Sequence, residues 1–276
     1  MASIILIRGG GDLASGVALR LYKAGFRLLI TELPQPSVVR RLVSFAEAVY
    51  SGRAVVEGVQ GRMVQDFRQA LTVMEAGQVP VLVDPGAQVL QSFHSNGTDP
   101  DLGVLVDARM TKRPPEIGLD SAPLVIGLGP GFVAGANCHT VIETNRGHLL
   151  GRVIWEGGPE SDTGIPESVA QHQSDRVLRS PAAGALEAFA EISEHLEPGQ
   201  PVAAVNGQMV LAPFRGVLRG LVHAGLNVRP GEKIGDVDPR DDPRYCTLVS
   251  DKSLAVGGGV LEAILSRPEM RNLLWD

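Results

Sequence analysis

Two cysteines in 276 residues are too few for a disulfide scaffold, and Cys138 and Cys246 form no Cys-x-x-Cys pair that would signal zinc. No long Lys/Arg run occurs and the formal net charge is −6, which argues against a nucleic-acid partner. Short basic patches such as Arg40-Arg41 read as solvated faces. No apolar stretch reaches the length of a membrane span, so no membrane is expected. No charged leader precedes the first apolar run, and the expected location is cytoplasmic. What is present is 44% hydrophobic residues in a chain long enough for a sizeable core and two domains.

The stretch from Ser3 to Glu32 organises the rest. A β-branched run, Ile4 to Ile7, leads into Gly9, Gly10 and Gly11. Leu13, Val17 and Leu21 then recur at helical spacing, Gly25 suits a helix C-terminus, and a second apolar run, 28–30, ends at Thr31-Glu32. Strand, glycine turn, helix, strand, acid is the order of a Rossmann βαβ unit. Gly9-x-Gly11-x-x-Ala14 fits the dinucleotide fingerprint, in which small residues admit a pyrophosphate at a helix N-terminus. Glu32 lies 21 residues after Gly11, where an acid would meet a ribose hydroxyl. Asp12 suits a helix N-terminus but not a bound phosphate. The alternative is a glycine turn that is purely structural.

Strands and helices alternate as far as about residue 155, predicting a mostly parallel sheet whose ligands sit beyond the carboxyl ends of the strands. Gly9 to Gly11, Glu32, Asp84 and Asp107 fall at such ends, and Arg109 and Lys112 follow Asp107 with charge that could neutralise an anion. Gly129 and Gly131 belong to a second glycine-rich neighbourhood, GLGPGF, before ETNRGH. Residues 157–166 have the composition of an exposed loop.

From about residue 177 the chain repeats itself. SPAAGALEAFAEISEHLEPGQPVAAV from Ser180 matches APFRGVLRGLVHAGLNVRPGEKIGDV from Ala212 at a constant offset of 32 residues. The pairs include Pro181 with Pro213, Gly184 with Gly216, Leu186 with Leu218, Pro198 with Pro230 and Gly199 with Gly231. Two such halves resemble the biotinyl/lipoyl-like barrel-sandwich hybrid. The join, Val205-Asn206-Gly207-Gln208-Met209, has the tight-turn pair but no lysine, so neither biotin nor lipoate is expected. The expected fold class is therefore α/β: a Rossmann-like domain over 1–176, a barrel-sandwich hybrid over 177–240, and a strand and helix over 241–276 returning to the first domain.

Together IRGGGDLASGVALRLYKAGF, TELPQP, VDARMTKR, GLGPGFVAG, ETNRGHLLG and VGGGVLEAIL resemble the YqeB family of accessory proteins of selenium-dependent molybdenum hydroxylases, nearly end to end. The Rossmann-like part is similar in kind to that of XdhC-type proteins, which deliver sulfurated molybdenum cofactor to xanthine dehydrogenases. The resemblance implies a maturation factor and a molybdenum hydroxylase partner, and names no catalytic residue.

Three readings follow. In the first, a maturation factor binds a small anionic ligand, a nucleotide or the molybdenum cofactor, through Gly9, Gly10, Gly11, Asp12, Glu32, Arg109, Lys112, Gly129 and Gly131. In the second, the chain is an NAD(P)-dependent oxidoreductase, although His94, His139, His148, His172, His195 and His223 are scattered and form no catalytic string. A binding module without chemistry is a third reading, and whether any reaction is catalysed stays open. For sulfur or selenium transfer Cys138, in a turn, is the better candidate thiol, while Cys246 reads as core; free cysteine more commonly behaves as a small buried hydrophobe.

Overall fold

The structure is a computed structural model that describes residues 3–94, 100–161 and 175–274. The part of the 157–166 loop beyond residue 161, and His172, lie outside the described residues. In chain order the strands are β1 Ile4–Arg8, β2 Arg27–Glu32, β3 Arg53–Val56, β4 Val59–Val64, β5 Val79–Val83, β6 Leu102–Asp107, β7 Leu124–Leu128, β8 Thr140–Ile142, β9 Val153–Ile154, β10 Val177–Arg179, β11 Gly184–Ala188, β12 His195–Leu196, β13 Pro201–Val205, β14 Gln208–Leu211, β15 Gly216–Leu221, β16 Asn227–Val228 and β17 Lys233–Asp238. The helices are α1 Asp12–Lys23, α2 Ala48–Ser51, α3 Phe67–Glu75, α4 Arg244–Thr247, α5 Asp251–Leu265 and α6 Pro268–Leu274. The chain forms two compact units, one of Met1–Pro36, Phe45–Asp162 and Val249–Asp276, the other of Ser37–Ser44 and Thr163–Leu248.

The first unit is built on a nine-stranded sheet of order β3-β4-β5-β2-β1-β6-β7-β8-β9. The central strands are apolar on both faces and buried, as β1 is at every residue. The edge hairpin β3–β4 alternates instead, with Ala54 and Val56 buried and Arg53 and Val55 exposed. From β4 to β8 the neighbours pair in parallel, and the pairs at the two edges, β3–β4 and β8–β9, are antiparallel. β1 lies between β2 and β6, so the chain turns to the other side of its own first strand at β6.

The second unit holds two four-stranded antiparallel sheets, β10-β17-β15-β12 and β14-β13-β11-β16. The 32-residue offset carries β10 onto β14, β11 onto β15, β12 onto β16 and β13 onto β17, and so carries one strand order onto the other. The repeat is thus one four-stranded pattern used twice.

These topologies correct the expected fold class of a Rossmann-like sheet plus a barrel-sandwich hybrid. A Rossmann order places helices at successive crossovers between parallel strands. Here, among the described residues, loops and short 3-10 turns without an α-helix connect β5 to β6, β6 to β7 and β7 to β8, and the sheet is mixed. The repeat builds two antiparallel sheets and not the biotinyl/lipoyl-like hybrid.

The helices follow local rules with one exception. α1 has Asp12 in its first turn and Arg20 and Lys23 in its last, matching the helix dipole, and buries Ala14, Val17, Ala18 and Leu21. Asp66 caps α3 by accepting from the Gln69 N–H at 2.8 Å. Where a strand is expected ahead of the terminal helix, Arg244–Thr247 form helix α4 instead, and Arg41–Val43 and Phe45–Glu47 are 3-10 turns. The exception is α5, which Ser250 caps and which runs straight through Gly257-Gly258-Gly259, a stretch that composition suggests is a turn.

Packing explains it. A Cβ on Gly257 would come 2.8 Å from the Gly16 carbonyl oxygen, and one on Gly16 would come 2.5 Å from the Ser253 Cβ. One on Gly259 would overlap the Gly151 carbonyl oxygen, whereas Gly258 faces open space. Close approach of α1 and α5 outweighs the helix propensity that glycine lacks. Gly259→Ala is therefore expected to cost about 1–3 kcal/mol through overpacking. Gly258→Ala should stabilise by about 0.5–1 kcal/mol. Denaturant midpoints of the two variants check both signs.

Candidate functional site

The glycine turn is closed by the chain itself. Gly9 has φ 93°, a left-handed value that favours glycine, and its N–H donates to the Thr31 carbonyl at 2.7 Å. The Gly10 N–H donates to Glu32 Oε2 at 2.6 Å, and the Gly10 carbonyl accepts from the Ala46 N–H at 2.8 Å. A Cβ on Gly10 would lie 2.9 Å from the Ala46 nitrogen. Ser15 Oγ donates to the same Gly10 carbonyl and accepts from the Phe45 N–H. Gly11, with φ −68°, needs no glycine conformation and serves as the N-cap position of α1.

Glu32 is only 8% exposed, and its second oxygen accepts from the Leu33 N–H at 2.7 Å. Burial pushes its carboxyl above the usual range, opposed by the hydrogen bonds from Leu33 and Gly10. Asp12 accepts from the Ser253 hydroxyl at 3.0 Å and so ties α1 to α5. Both acids picked from the sequence are thus spoken for inside the fold.

The charged centre lies between β1 and β6. Arg8 ends β1, is 1% exposed, and donates to Asp107 Oδ2 at 3.2 Å, to the Pro85 carbonyl at 3.3 Å and to Glu116 Oε1 at 2.9 Å. Arg109 donates to both oxygens of Asp107, at 2.9 and 2.6 Å, and to both oxygens of Glu116, at 2.6 and 2.8 Å. Burial works against the charge on Arg109, but the hydrogen bonds to Glu116 and Asp107 outweigh it and hold the guanidinium protonated. The hydrogen bond from Arg109 holds the Glu116 carboxyl far below the usual range, against desolvation, with Arg8 adding to the effect.

The remaining predicted residues frame this centre. A Cβ on Gly9 would touch Arg109 at 3.4 Å. Gly129, with φ 68°, packs under Met110 and Thr144, and a Cβ on Gly131 would lie 2.5 Å from the Arg113 carbonyl oxygen. Lys112 sits exposed in the same loop with φ 58°. The structure thus brings Gly9, Arg109, Gly129 and Gly131 to one region, joins Gly10 to Glu32 in the turn, and ties Asp12 to Ser253 of α5.

Sequence reasoning missed three participants. Arg8 carried a signal, a cation ending an apolar strand. Glu116, after Pro114-Pro115, carried none. Glu143, in the ETNRGH motif, is 1% exposed and accepts from the N–H groups of Thr144, Asn145 and Glu160, each at 2.7 Å, so its acid organises a loop.

Neither thiol is exposed. Cys138, the better candidate for transfer chemistry, is fully buried, and burial pushes its thiol up to about 11; Cys246 is also buried and pushed up. Among the described residues no group of three or more His, Cys, Asp or Glu is placed to hold a metal ion. Among the same residues no helix is long and apolar enough to cross a membrane.

Fold and site together define an α/β protein with a cluster of ion pairs at the point where an open sheet reverses its strand order. Over 262 residues, 95% of its length, the chain is 44% identical to the uncharacterized protein YqeB of Escherichia coli (strain K12), and it is a homologue of that protein. It spans about half, 47%, of the length of that relative. No family model matches it. Solved structures with a distant likeness include an aspartoacylase family protein from Mesorhizobium loti (TM-score 0.27, 13% identity, 86% of this chain and 84% of that one). Another is the ectoine utilization protein EutE (DoeB) from Ruegeria pomeroyi (TM-score 0.26, 13% identity, 86% of each chain). At TM-scores this low the likeness decides nothing about fold or function.

Glu32→Gln separates a structural from a ligand role for that acid. An amide can accept from only one of the two N–H groups through its oxygen and turns a donor toward the other. The substitution should cost about 1–3 kcal/mol of stability, read from denaturant unfolding. A ribose-binding acid with no structural duty would leave the midpoint unchanged.

Proposed function

We propose that this chain is an accessory factor in the maturation of a selenium-dependent molybdenum hydroxylase, holding a small anionic ligand, a nucleotide or the molybdenum cofactor, as cargo at the crevice between β1 and β6. The observation that carries the reading is the pair Arg8 and Arg109 at the carboxyl ends of those two strands. In open α/β sheets ligands bind where the strand order reverses, and β1 and β6 are that place here. Paired guanidiniums suit phosphate, which both ligand types carry. The resemblance of IRGGGDLASG and VDARMTKR, among other stretches, to accessory proteins of molybdenum hydroxylases supports the maturation role. The nicotinamide-dependent alternative finds less support, because both oxygens of Glu32 already accept backbone N–H groups.

The test is made in the native host. With Arg109→Ala in place of the wild-type residue, the hydroxylase polypeptide should accumulate at its usual level but with molybdenum content and activity reduced about tenfold or more, the scale of one lost charge-assisted hydrogen bond. A fully loaded, active hydroxylase in cells lacking the chain would overturn the maturation reading.

A further inference from the structure

The crevice that should receive an anion already contains one. Glu116 is 59% exposed at its side chain, yet it neutralises a guanidinium that is 1% exposed and grips a second through two parallel hydrogen bonds. This is the geometry in which arginine receives a free carboxylate or one edge of a phosphate. With Asp107, the four groups balance as two cations and two anions. Removing the Glu116 carboxylate would leave a net positive charge, part of it fully buried, and a buried unbalanced charge is costly. An incoming oxyanion restores the balance.

The segment that carries Glu116 has no regular structure. Between Asp107 and Leu119 the chain forms no helix or strand, and Met110 and Lys112 hold left-handed backbone, φ 55° and 58°, without being glycine. Such conformations cost on the order of 1 kcal/mol or more each and favour rearrangement once the contacts that hold them are exchanged. Asp107, by contrast, ends a strand and is 3% exposed, so it stays as the fixed counter-ion.

We propose that Glu116 is an internal stand-in for the ligand, and that an oxyanion, the phosphate or carboxylate of a small molecule, binds between Arg8 and Arg109 by displacing it. This rests on the reading of that crevice as the ligand seat. Empty protein keeps the seat neutral and closed; loaded protein releases residues 110–118 to a new position. Binding therefore changes the surface that a partner would meet, and couples loading to recognition.

Calorimetry on the full chain tests this with two probes, pyrophosphate for the phosphate source and succinate for the carboxylate source. Glu116→Gln removes the competing charge while keeping the shape, and should bind at least one of the probes about tenfold or more tightly than wild type. The arm that gains identifies the chemistry. Adding Arg109→Ala to Glu116→Gln should abolish the gain, with circular dichroism confirming that each variant is folded. Equal affinity in wild type and Glu116→Gln overturns the displacement, as does a gain that survives Arg109→Ala. Molybdenum content of the hydroxylase is a separate readout, so loss of the stand-in role leaves the maturation reading to be judged by itself.

Discussion

A guanidinium buried to 1% exposure has to be neutralised, and that requirement at Arg8 arranges the first unit around it. Arg8 sits at the end of a strand buried along its whole length, so its counter-charges must come from the neighbouring strand end and from a loop that can reach over it. Asp107 provides the first and Glu116 the second, and Arg109 locks both in place. The loop beyond Arg109 must then fold back on the 129–131 turn, where only glycine leaves room for Met110 and the Arg113 backbone. A centre that looks like a ligand site is a balanced set of ion pairs.

The glycine turn is held by a similar economy of polar groups. A helix N-terminus offers backbone N–H groups to an anion, and in a dinucleotide site a phosphate takes them. Here Glu32 takes the Gly10 N–H, one residue ahead of the Gly11 N-cap, and Ala46 fills the space beside it. Glycines at 9 and 10 are required, but by the approach of the chain to itself. The same holds along α1 and α5, where Gly16 and Gly257 let two helices meet nearly backbone to backbone. Closeness of packing, more than ligand chemistry, accounts for much of the glycine in this sequence.

That is also why some of the molecule was legible in advance and some was not. The elements around Gly9 to Glu32 were readable because their periodicity is local, and the 32-residue repeat because it is gapless; it reappears as one strand order used twice. The sheet's edges were not readable, since nothing in the run of apolar strands says that β3–β4 and β8–β9 close it with antiparallel pairs. The triple glycine of α5 misled because propensity is local and the partner helix lies some 240 residues earlier. Arg109 was found by its charge at a strand end. Its partner Glu116 was not, because a loop acid after two prolines looks like any solvated acid, and Glu32 was found for a role that its hydrogen bonds to backbone replace.

If an anion enters between Arg8 and Arg109 and not at the glycine turn, a crystal structure of the chain saturated with pyrophosphate will show density bridging the two guanidiniums, Glu116 swung out, and Glu32 still bonded to the Gly10 N–H. Density on Gly9 to Gly11 with Glu32 displaced, or an occupied complex in which Glu116 still grips Arg109, would contradict that placement of the anion.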